Sequence, residues 1–149
     1  MSGSLLDVLA ARKAELQAEQ VVDIPVPLWT SPVLRLRIKP VDHPVLKGIM
    51  ARAEKARGKA AGEADLNAHA AIVVSACVAV LIGDGDDESE FPLTSPLLVE
   101  ALQLPEGSTG VTVVRGMVLR DGDVVALSNA VFRHSGYAGE ALEEFLAGE

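Results

Sequence analysis

The chain has 149 residues, enough for one domain with a core of its own. Hydrophobic residues make up 49% of it but aromatic ones only 3%, so that core is expected from Ala, Val and Leu. A net charge of −8 repels phosphate backbones, which sets nucleic-acid binding aside in favour of a basic partner or plain solubility.

The single cysteine, Cys77, excludes an internal disulfide, and its flanks in VVSACVAVLI point to a buried, inert thiol. The opening MSGSLLDVLAARKAE has neither the basic leader nor the apolar run of a signal peptide. The longest apolar stretch, Ala70 to Ile82, falls short of the roughly 20 residues that span a bilayer. A cytosolic chain without a membrane segment is expected.

In chain order, residues 4–19 read as an amphipathic helix, with Leu5, Val8, Leu9 and Leu16 near one face and Asp7, Arg12, Lys13 and Glu19 mostly elsewhere. VVDIPVPLWTSP follows, where three prolines forbid a helix and suit an edge strand or an extended linker. Trp29 in this section is either an exposed binding anchor or a plug over one end of the core. VLRLRIK alternates as a half-buried strand, Leu34, Leu36 and Ile38 facing one way and the cations Arg35, Arg37 and Lys39 the other.

Asp42 as N-cap and Pro44 in the first turn start the next helix, with an apolar stripe of Val45, Leu46, Ile49, Met50 and Ala53, and Gly58 as its stop signal. An alanine-rich polar stretch then grades into AAIVVSACVAVLI. Its length and alanine content favour a helix, and its β-branched residues make a strand the competing reading. The acidic run GDGDDESE ends this segment. TSPLLVEALQL is a short helix capped by Thr94 or Ser95 with Pro96 at its first position. Ser108 caps a possible helix to Leu119, although VTVVRGMV also has strand composition, and DGDVVALSNAVFRH forms another helix through Val124, Leu127, Val131 and Phe132. GEALEEFLAGE is expected as an acidic last helix.

No nucleotide-binding glycine loop, G-x-S-x-G element or histidine pair at helical spacing occurs, and His43, His69 and His134 read as surface or cap residues. The acidic run resembles the start of a calcium loop, with Asp84, Asp86 and Glu88 as oxygen ligands. The pattern then fails, because Ser89 stands where glycine belongs and Ser95 where glutamate belongs. No catalytic residue, metal or cofactor is expected.

The extended D-I-P-V-P segment, the R-L-R strand, the S-A-C segment, P-L-T-S-P-L-L-V-E-A-L-Q-L and the ending S-G-Y…E-E-F-L-A-G-E follow one another in an order that resembles the tail assembly chaperones of long-tailed phages infecting high-GC bacteria. The resemblance covers residues 21–149, and His134 departs from the tryptophan often found before the Ser-Gly-Tyr element. It implies a non-enzymatic protein of the infected host's cytoplasm, absent from the finished virion. Such a protein binds the tape measure protein and assists tail tube subunits to polymerise. The tail tube protein and a second copy of the chain are the further candidate partners. Genes of this kind also yield a longer product by programmed frameshifting, for which Gly148-Glu149 is the candidate site.

The expected fold is mainly α with a short N-terminal β element (α+β): an amphipathic helix at 1–20, then one helical domain at 21–149 led by an extended strand or hairpin. Leu5, Val8, Leu9, Leu16 and Trp29 are the expected partner-binding residues. The alternative functions are a structural head–tail connector or tail-terminator subunit, and a small metal-regulated or ligand-binding domain built on the acidic run. No nucleic acid or membrane is expected as a partner.

Overall fold

The computed structural model describes residues 2–137, with Ser2 and residues 57–61 described by backbone only. The acidic segment expected as a last helix lies outside them. Helix α1 (Ser2–Glu19) leads into the hairpin β1 (Val22–Thr30) and β2 (Val33–Ile38). Helix α2 (His43–Ala76) runs directly into β3 (Cys77–Ile82), followed by a single 3-10 turn and β4 (Ser89–Phe91). Helices α3 (Pro96–Ala101), α4 (Gly110–Met117) and α5 (Asp121–His134) complete the described chain.

The four strands form one antiparallel sheet in the order β1-β2-β3-β4. The chain is therefore α+β as expected, but its β part is not confined to an N-terminal element. The segment CVAVLI is a strand and not the end of a buried helix. Its β-branched residues find a ladder against β2, with Leu36 opposite Val80 and Leu34 opposite Ile82, and this long-range pairing outweighs alanine's helical preference. Pro25 and Pro27 are tolerated because β1 is an edge strand. The alternation of β2 holds: Leu34, Leu36 and Ile38 are buried, with Arg35 and Arg37 on the other face.

Helix α2 does not stop at Gly58 but continues to Ala76. It is nevertheless not one straight rod. Ile38 pairs with Cys77, and the Lys39 N–H donates to the Ala76 carbonyl at 3.0 Å, so the end of α2 is tied to the end of β2. The start of α2 at His43 is only five residues beyond Ile38, hence within about 18 Å of it. A straight helix of 34 residues would hold its ends about 51 Å apart. The run doubles back, and its described arms, residues 43–56 and 62–76, lie side by side and antiparallel. The same groove is lined by Val45 and Ser75, by Ile49 and Ala71, and by Ala56 and Ala64, as that arrangement requires.

The second arm carries α4 and α5. His69 bonds Ser128 of α5, and Gly110 of α4 sits so close that a Cβ there would meet Val74 Cγ1 at 2.8 Å. Thr109, and not Ser108, caps α4, its Oγ1 accepting from the Thr112 N–H at 3.3 Å. Leu36, Ile38 and Val80 from the sheet, Ile72 from the second arm, Val113 from α4 and Phe132 from α5 form one continuous core.

After β3 the chain turns at Gly83, whose φ is +97° and whose absent Cβ would lie 2.7 Å from the Asp87 carbonyl oxygen. Gly85, at φ +56°, has open space instead. Gly83→Ala is expected to cost about 1–3 kcal/mol by forcing both the dihedral and the contact, and Gly85→Ala about 1 kcal/mol for the dihedral alone. Urea unfolding of the two variants checks this, and equal losses would contradict the close approach at Gly83.

Candidate functional site

Of the residues expected to meet a partner, four lie on α1. Leu5 is 73% exposed, Val8 62%, Leu9 66% and Leu16 42%. Leu6, which the helical pattern left aside, is 63% exposed and belongs to the same surface. Every described side chain of α1 is exposed. The helix is less cleanly amphipathic than its sequence suggests, because at 100° per residue Arg12 falls between Val8 and Leu5 on the apolar side. Arg12 pairs with Glu15 at 2.9 Å and Glu19 at 3.6 Å, which makes the second half of α1 polar and leaves the leucines concentrated in the first.

Trp29 is not part of that surface. It lies near the far end of β1 from α1, about 23 Å along a strand of this length. Its ring is packed against the core, and its indole N–H donates to the Met117 carbonyl at 2.7 Å. The side chain closes one end of the core between β1 and the last turn of α4.

A second apolar surface, absent from any sequence pattern, is the groove between the arms of α2. It has a volume of about 440 Å³. Small residues of both arms, among them Ala53, Ala56, Ala68 and Ala71, line it together with Val45, Ile49 and Val74 and with Val111 of α4. Arg52, Asn67 and Ser75 are its polar side chains. Alanine at successive turns keeps the walls low, which leaves room for larger apolar side chains of another helix.

The acidic run is absorbed within the fold. Glu88 pairs with Arg35, Glu90 with Arg37 at 2.7 Å, and Asp23 of β1 with Arg37 at 2.9 Å. The bond from Asp23 and its charge raise the Arg37 pKa above the usual value. The basic stripe of β2 and the carboxylates around it thus neutralise each other on the outer face of the sheet. Leu81, on that face opposite Arg35 and Glu90, is only 1% exposed, covered by the stems of the charged side chains. Asp86 and Asp87 remain exposed in the 3-10 turn. Among the described residues, no group of three or more His, Cys, Asp or Glu is placed to hold a metal ion.

Two buried polar groups complete the inventory. Cys77 is half-buried at the junction of α2 and β3, and burial pushes its thiol up to about 11, far from a nucleophilic thiolate at neutral pH. His69, expected at the surface, is buried, and its Nδ1 lies 2.9 Å from the hydroxyl of the fully buried Ser128. With Ser128 closed to solvent, the pair joins α2 to α5 and offers no approach to a substrate. His134 is half-buried, its Nε2–H donating to the Gln20 carbonyl at the end of α1.

Compared with known protein families, curated proteins and solved structures, the chain matches none. No helix among the described residues is long and apolar enough to cross a membrane.

Desolvation lowers the His69 pKa, and the charge of Asp65 opposes this only in part. The unfolded chain therefore takes up the proton more readily than the folded one. The stability associated with neutral His69 is intact above about pH 6.5 and is lost as pH falls below it toward the depressed folded value. The thermal midpoint should drop more steeply between pH 7 and pH 5 for the parent chain than for His69→Gln. Parallel curves would contradict the buried neutral imidazole.

Proposed function

We propose that the chain is a non-enzymatic assembly chaperone that holds apolar helical segments of a longer client. The observation that carries this reading is the alanine-lined groove between the two arms of α2, open to solvent and bordered by Arg52. A groove between paired helices accepts an amphipathic helix by burying anchors spaced at i, i+3 and i+4. The exposed leucines of α1 add a second apolar surface of the kind that marks protein contacts.

The client fitting both this chemistry and the order of sequence elements is a phage tape measure protein, a long helical chain with apolar stretches. In this reading the protein is a tail assembly chaperone. It acts in the host cytoplasm, keeps the client from aggregating while tail tube subunits gather, and leaves before the virion is finished. The internal pairing of Arg35 and Arg37 supports an apolar mode of recognition over an electrostatic one, since most of the sheet's outer charge is already matched.

Co-expression with a tape measure protein tests the reading. The client is expected to stay soluble and to co-purify with the chain, and Ala71→Trp, which fills the groove, is expected to reduce the recovered complex at least tenfold. A client that aggregates equally with and without the chain would overturn the reading. Unchanged recovery with Ala71→Trp would move the contact away from the groove.

A further inference from the structure

We propose that two copies of this chain associate by exchanging their first helices, each α1 lying in the groove between the arms of the other copy's α2. An isolated helix of 18 residues is marginal in water, so α1 needs a cover that the described residues of its own chain do not provide. Along α1, Leu5, Leu9, Arg12 and Leu16 are spaced by four, three and four residues, the seam that one helix presents to a helical neighbour. Across from it, the groove presents small residues at Ala53, Ala56, Ala68 and Ala71. Leucines against alanines is the large-to-small complement that lets helices interlock.

Charge is compatible with the same match. The first arm, residues 43–56, carries Lys47, Arg52 and Lys55 against Glu54, and the described part of the second arm carries Glu63 and Asp65, so the charges bordering the groove balance on a chain of net charge −8. Helix α1 carries Asp7, Glu15 and Glu19 against Arg12 and Lys13, a slight acidic excess. A charge-balanced groove repels this helix less than a surface of the chain's net acidic character would.

The connection to β1 argues that the groove filled is the partner's. Only Gln20 and Val21 separate α1 from β1. Their amide N–H groups are held by the carbonyls of Gln17 and Ala18, and the Gln20 carbonyl by His134. This short, bonded link directs α1 away from its own fold and leaves it no slack to turn back. Reciprocal exchange about a two-fold axis satisfies both grooves and both helices at once and closes the assembly at two copies. The inference stands independently of any client, since it uses only the fit of α1 to the groove.

Single-cysteine chains in a Cys77→Ala background test the exchange directly. Chains bearing Leu9→Cys are mixed with chains bearing Ala71→Cys and oxidised mildly, and molar mass is followed by light scattering. A mixed disulfide dimer of the two chains is expected, the parent chain should have the mass of a dimer, and Leu5→Glu with Leu9→Glu should return it to a monomer. Circular dichroism confirms that this double variant remains folded, as exposed sites allow. Disulfides formed only between two Leu9→Cys chains would overturn the proposal in favour of α1 pairing with α1. A monomeric parent chain would overturn it too, as would a disulfide within one chain bearing both cysteines, or a dimer unaffected by the double variant.

Discussion

The architecture depends on one tie: Ile38 at the end of β2 is held beside Cys77 at the start of β3, and the Lys39 amide is bonded to the Ala76 carbonyl. This junction brings the two ends of a 34-residue helical run together. The run is thereby obliged to fold back, and the groove between its arms is a consequence of that return. The second arm then offers the platform for α4 and α5, through the close approach of Gly110 to Val74 and the bond of His69 to Ser128. Sheet, paired arms and closing helices meet in one core.

Charge is distributed so that recognition falls to apolar surfaces. The densest acidic stretch faces the most compact basic stripe, and Arg35 and Arg37 draw Glu88, Glu90 and Asp23 onto the sheet. Pairs this exposed contribute little to stability, on the order of 0–1 kcal/mol each. Their main effects are to keep the outer face of the sheet polar and to cover Leu81. Among the described residues, the leucines of α1 and the groove are the apolar surfaces that the two proposals use. If both proposals hold, a client helix and an exchanged α1 compete for the same alanines, and client loading would require release of α1.

Much of the local structure was legible. The period-two pattern of VLRLRI, the Ser95-Pro96 start of α3 and the stripe of α5 each carry their own signal, and each forms where it should. The segment IVVSACVAVLI was ambiguous because helix and strand share it: the switch falls between Ala76 and Cys77, and only the distant β2 decides it. Strand β4, three residues long, is too short to show a period. Gly58 carries a stop signal that the helical run to Ala76 does not obey outright, yet it lies within residues 57–61, between the two arms where the run reverses, and the pairing of distant strands fixes that reversal. The leucines of α1 could be found by periodicity. The groove could not, since its alanines are unremarkable until two arms face each other, and burial of His69 follows from the same packing.

The most direct test of this account is the separation of Val45 and Ser75, near opposite ends of α2. Spin labels placed by Val45→Cys and Ser75→Cys in a Cys77→Ala background report it by pulsed electron resonance. Dilution with unlabelled chains isolates the distance within one copy. The doubled-back arms predict a separation below about 25 Å, whereas a continuous straight helix would place the sites about 45 Å apart at 1.5 Å per residue. A distribution centred near the longer distance would contradict the paired arms, and with them the groove.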